Sequence, residues 1–167
     1  MSIPSIPLVN GIRYSFASIE IMLPSIGKRY VGFNSINYED LLDPGKAWGT
    51  SQMKIGRTAG KHDPSADMEM FLQEADDFMQ ALSATGGDNA LLKGAGVGLI
   101  PFGISVAYSE VGSPTITDVI EGARITNISK KRGQGTDALV TSFKLDVMRI
   151  KHNGLYIFSA PNLAGTN

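Results

Sequence analysis

Apolar and polar side chains alternate with a period of two along most of this chain, and glycine, proline and asparagine punctuate the runs. This is the pattern of antiparallel β-structure. The clearest run is 102–109, where Phe102, Ile104, Val106 and Tyr108 alternate with Gly103, Ser105, Ala107 and Ser109. One face is bulky, and the other is small enough for a second backbone to approach closely. Residues 13–23 read as a strand whose phase flips around Ala17 and Ser18, from Tyr14 and Phe16 to Ile19, Ile21 and Leu23. Residues 29–39 flip likewise, from Val31 and Phe33 to Ile36 and Tyr38. Such flips predict bulges, or strands that change neighbours midway. Residues 50–58 form a further strand. Segments 119–130 and 139–151 should pair around the polar turn 130–137, the second changing face from Phe143, Leu145 and Val147 to Met148 and Ile150.

One segment breaks the rhythm. Phe71, Ala75, Phe78, Met79 and Leu82 recur at helical spacing, with Gln73, Glu74, Asp76, Asp77 and Gln80 on the other side. A helix over 71–84 follows, stopped by Gly86-Gly87. About seven strands and one flanking helix predict a single domain over 1–167, α+β and mainly antiparallel, built as a β-barrel or sandwich. Residues 1–12 read as an extended arm, because Pro4 and Pro7 disfavour helix, and 156–167 as a C-terminal tail. The connection 41–49 is longer than most hairpin loops and carries Leu41, Leu42 and Trp48, the only tryptophan. Such groups need burial, either on their own domain or on another subunit.

A chain of 167 residues buries about 70% of its unfolded surface and needs no staple. Its lack of cysteine excludes disulfides, thiolate catalysis and Cys-based zinc sites. Net charge is −1, so no global attraction to nucleic acid or membranes is indicated. Locally the charge is uneven. Residues 62–92 hold seven acids and no Lys or Arg, whereas 124–151 hold seven bases against two acids. These are either two solvated faces or the two sides of a head-to-tail contact between copies. No basic-then-apolar leader opens the chain, and its longest uncharged stretch, 94–109, is interrupted by four glycines and a proline. A soluble protein made in the cytoplasm, without a membrane anchor, is expected.

The search for catalytic chemistry is empty. His62 and His152 are ninety residues apart with no metal-ligand spacing; a His62-Asp63 base pair lacks a nucleophile nearby. Gly94, Gly96 and Gly98 precede a strand, whereas phosphate-binding loops precede a helix, so a flexible connector is expected. No GxSxG occurs. The adjacent acids Asp76-Asp77 and the run Lys130, Lys131, Arg132 read as solvated surface and a charged turn. No enzyme, cofactor or metal is expected.

The region 118–155 carries a more specific pattern. A strand holds Gly122 and Thr126 in a GxxIT element, the turn contains Gly133, Gln134, Gly135, Asp137, Ala138 and Leu139, and Met148 leads to Asn153-Gly154-Leu155. In order and spacing this resembles the C-terminal region of the tail tube proteins of contractile-tailed bacteriophages. Residues 66–82 resemble that family's unit of a strand followed by an acidic helix. The resemblance implies a structural subunit whose copies, six to a ring, pair sheets edge to edge. The rings stack into a hollow virion tube that conducts DNA from capsid to host. It implies as partners the tail sheath, baseplate, tail terminator and tape measure proteins, with DNA in the lumen. Leu41, Leu42, Trp48, Lys130, Lys131, Arg132, Asp76 and Asp77 are the candidates for assembly and stacking. The alternatives are a tube of a type VI secretion system or tailocin, and a monomeric β-barrel binding module.

Overall fold

The computed structural model describes residues 19–23, 27–30, 33–48, 54–57, 60–108, 114–135 and 137–158. The expected N-terminal arm, residues 13–18 of the first strand, Val31, and the tail beyond 158 lie outside them, as does the side chain of Trp48.

The strands in chain order are β1 (Ile19–Leu23), β2 (Lys28–Tyr30), β3 (Phe33–Glu39), β4 (Leu42–Asp43), β5 (Lys46–Trp48), β6 (Lys54–Arg57), β7 (Lys61–His62) and β8 (Ser65–Phe71). Helix α1 (Leu72–Thr85) follows, then β9 (Phe102–Tyr108), β10 (Ile116–Lys130), β11 (Val140–Asp146), β12 (Arg149–His152) and β13 (Leu155–Tyr156). The main sheet has the order β2-β1-β9-β10-β11-β8-β3, with β12 attached to β10 and β13 to β12. Every pairing is antiparallel. The strands are not closed into a barrel, which corrects that half of the expectation.

Strand β10 belongs to two half-sheets. Residues 116–123 lie against β9 on one side and, over 118–121, against β12 on the other; residues 124–130 lie against β11. Between these halves Ile120 pairs with Ile104 but Ala123 with Phe102, so the strand carries a bulge. Gly122 supplies it with φ +65°. The chain corners opposite this bulge, where the Met148 N–H donates to the Glu121 carbonyl at 3.1 Å. The segment expected as one strand over 139–151 is therefore two, β11 and β12. Phe143, Leu145, Val147 and Ile150 are all buried, while Met148 is 73% exposed at the corner. The phase change read in the sequence is the corner itself, and Met148 does not share a face with Ile150.

The flip in 29–39 has a similar cause. Phe33 pairs with Met70 and Ser35 with Glu69, so Asn34 is an extra residue. That bulge restores the phase, and Phe33 joins the core with Ile36 and Tyr38 packed against it.

Helix α1 closes the core between the half-sheets. Ala75, Phe78 and Leu82 are fully buried. The Phe78 ring meets Tyr30, Phe102 and Phe143 edge-on, with centroids 6.1, 5.3 and 5.7 Å away. Phe71 is not part of the buried helical face; it ends β8 and precedes the helix. The Gly86 N–H caps Leu82 at 2.9 Å in the left-handed conformation. The expected flexible connector contains a 3-10 turn, Val97–Leu99, laid beside β10.

Candidate assembly surfaces

The pairing register places a continuous polar face on the half-sheet β3-β8-β11-β10. Across it run the rows Glu39–Ser65–Asp146–Arg124, Asn37–Asp67–Lys144–Asn127 and Ser35–Glu69–Ser142–Ser129. The intervening rows turn inward and include Ile36–Met68–Phe143–Ile128, exposed at its Ile128 end, and Tyr38–Ala66–Leu145–Ile125. Period-two alternation thus produces one face packed against α1 over β8 and β11 and another with no large apolar side chain in its rows. Opposite charges sit side by side as Asp67 with Lys144 and Asp146 with Arg124. Glu69 accepts from Asn34 Nδ2 at 2.8 Å and from Ser142 Oγ at 3.1 Å.

Among the described residues both edges of this half-sheet are open. Among the described residues no strand pairs with the outer side of β3, nor with 126–130 on the side away from β11. A third feature is the segment expected as a loop at 41–49. It belongs to a laddered arm: β4 pairs with β7 and β5 with β6. Leu41 is exposed and Leu42 half-buried at its root.

The motif positions have local tasks. Asn153-Gly154 is a two-residue hairpin turn between β12 and β13, with φ of 45° and 85°, as an Asn-Gly turn of the twisted hairpin type requires. The Asn153 N–H also donates to Asp118 Oδ1 at 3.0 Å. Thr126 sits where the β10–β11 register shifts and donates to the Lys144 carbonyl at 3.2 Å. The Leu139 carbonyl accepts the first helical N–H, that of Leu72, at 3.0 Å. Gly133, Gln134, Gly135, Asp137 and Ala138 lie in the exposed turn, beside a cavity of about 290 Å³ that Leu139 also lines. Leu155 is largely exposed on β13.

Two of the charged candidates are neighbours within the chain. Lys130 Nζ lies 3.7 Å from Asp76 Oδ1 of the same chain, so the acidic helix and the basic turn are neighbours. Lys131 and Arg132 are exposed beside them. Asp77 accepts from the Tyr30 hydroxyl at 3.3 Å, and burial followed by this carboxylate pushes the Tyr30 hydroxyl up to about 12.

Sequence reasoning missed a buried polar group that ties the two half-sheets. Tyr38 of β3 donates to Asp118 of β10, and its hydroxyl lies 2.5 Å from that of Tyr108 on β9. Burial raises both tyrosine hydroxyls above their ordinary range. It also missed Asp40. His62 contacts this aspartate and not Asp63, which pairs with Lys61 at 3.0 Å; His152 approaches the same carboxylate. Among the described residues no cluster has metal-binding geometry, and no helix is long and apolar enough to cross a membrane.

No protein-family model matches the sequence, and no curated protein matches it either. Solved structures share the fold. The SPP1 tail tube is 12% identical with a TM-score of 0.56, over 86% of this chain and 81% of that one. A chain of the PVC sheath–tube complex, from an extracellular contractile injection system, is 13% identical with a TM-score of 0.55, over 83% and 89%. A chain of the anti-feeding prophage tube-terminating cap is 14% identical with a TM-score of 0.52, over 90% and 97%. The class is an α+β fold of antiparallel sheet with one flanking helix. Within that class it is the tail-tube fold found in phage tails and contractile injection systems.

Proposed function

We propose that this protein is a structural subunit of a tail tube whose copies join edge to edge into a ring. One observation carries the reading: among the described residues the half-sheet β3-β8-β11-β10 has two open edges, an inner face packed against α1 over β8 and β11, and a polar outer face. Open edges on a free monomer invite uncontrolled pairing, and a ring that joins β3 of one copy to β10 of the next removes them. The polar faces then form one continuous wall around a lumen. Its rows interleave acids with Arg124 and Lys144 and hold no basic run, so phosphate finds little to grip and DNA slides past. Six copies per ring, stacking through the arm and the charged turn, and contacts with sheath, baseplate, terminator and tape measure proteins complete the assembly. The subunit is made in the host cytoplasm, works in the virion tail and catalyses nothing. The likeness to the PVC chain favours a second reading, the tube of an extracellular contractile injection system with another cargo.

Negative-stain electron microscopy of the concentrated protein tests the assembly. Rings or hollow tubes are expected. A uniform field of monomers at every concentration and salt would favour a binding module.

A further inference from the structure

The arm 41–62 leaves the main sheet at β3 and returns to it at β8. Among the described residues its pairs β4-β7 and β5-β6 join no strand of the main sheet. Its direction therefore depends on its root. There Asp40 follows β3 directly, and its side chain is only 5% exposed. A carboxylate removed from water needs charged or hydrogen-bonding partners. Two imidazoles meet it from different parts of the fold. His62, on the returning strand of the arm, places Nε2 on Oδ1. His152, on β12 in the other half-sheet, brings Nε2 to 3.4 Å from Oδ2, a close approach without hydrogen-bond geometry. The rings are themselves packed: His152 lies 6.3 Å from the Tyr38 ring and His62 5.8 Å from the Phe158 ring. The Gly60 backbone adds a close approach, since a Cβ there would lie 2.3 Å from the Asp43 carbonyl oxygen.

We propose that Asp40, His62 and His152 form a clasp that fixes the arm relative to both half-sheets. His62 holds the arm's return, His152 holds the body, and Asp40 joins them. Under the tube reading, the clasp presents the arm already ordered to the next ring, which lowers the entropic cost of stacking. That consequence rests on the proposed function, whereas the clasp is a property of the single chain.

Hydrogen–deuterium exchange of the full chain tests it, comparing wild type with Asp40→Asn, His152→Asn and Lys61→Ala. Amides of 41–48, 54–57 and 60–62 should exchange at least about tenfold faster in the first two variants. Those of β8, β9 and β11 should keep their protection. His152→Asn is the decisive variant, because it lies outside the arm. Lys61→Ala removes only the exposed pair with Asp63 and should leave the arm unchanged. Three outcomes overturn the clasp: unaltered arm exchange in Asp40→Asn or His152→Asn, loss of protection in arm and sheet together, or equal loosening by Lys61→Ala. Failure to see rings by microscopy would refute the tube reading and leave this result untouched.

Discussion

Replacing Gly122 with alanine perturbs the corner on which both half-sheets depend. The residue has φ +65°, a region that costs a side-chain-bearing residue about 1–2 kcal/mol. The new Cβ would also lie 2.6 Å from Met148 Cγ and 2.9 Å from Met148 Cβ. The Met148 side chain is mostly exposed, so its Cγ can swing aside. Its Cβ moves only with the backbone that holds the Met148–Glu121 hydrogen bond at 3.1 Å. Overpacking of this kind adds about 1–3 kcal/mol. The sum is a destabilisation of about 2–5 kcal/mol, measured as the fall in unfolding free energy by urea denaturation. Met148→Gly removes both offending atoms. In that background the same substitution should cost only the conformational part, so the double-mutant cycle should show a coupling of about 1–3 kcal/mol. An additive cycle, or a Gly122→Ala protein as stable as wild type, would refute the reading of the bulge.

Phe78→Ala should cost about 3–5 kcal/mol and reduce soluble yield, because the ring is fully buried among three aromatic partners; a loss under about 1 kcal/mol in urea would contradict this. Stability should fall in alkaline solution. The Tyr30 hydroxyl is raised to about 12, and those of Tyr38 and Tyr108 are raised too. Unfolded tyrosines lose their protons near pH 10, so the stability is full below about pH 10 and falls as pH rises toward 12; urea midpoints unchanged from pH 8 to 12 would count against the buried hydroxyls. Charge reversal at Lys130, Lys131 and Arg132 should weaken tube stacking, more at low salt than at high, seen by sedimentation. It should barely alter monomer stability, since the Lys130–Asp76 pair is half exposed. Trp48→Ala should spare the fold and lower the yield of tubes; a normal yield would remove Trp48 from the interface.

Elements with a strong local period were legible. Strand β9 occupies the expected run, and α1 runs one residue later than read because Phe71 completes β8. The phase flips at 29–39 and 139–151 reported real irregularities, the bulge at Asn34 and the corner at Met148, though not their geometry. The hairpin at Asn153-Gly154 carried a usable signal: Asn-Gly between short runs is a strong turn pattern, yet it was read only as part of a motif. What depends on register was hidden. The polar rows exist only once β3, β8, β11 and β10 are aligned, and open edges cannot be told from paired ones by composition. The charged segments looked like opposite faces, but the pairing of β8 with β11 brings the helix after one beside the turn before the other. Asp40, His62 and His152 are far apart in sequence, and no spacing rule links them.

The central claim is that β3 of one copy pairs with β10 of the next. Because the chain contains no cysteine, a designed pair reports this contact alone. Asn37→Cys combined with Asn127→Cys or Ser129→Cys places thiols on the polar face at the two open edges. Under mild oxidation one combination should give a ladder of covalent multimers that ends at a closed ring, while each single substitution stops at dimers. Monomers alone in every combination, under conditions where a surface-cysteine control cross-links, would contradict edge-to-edge assembly.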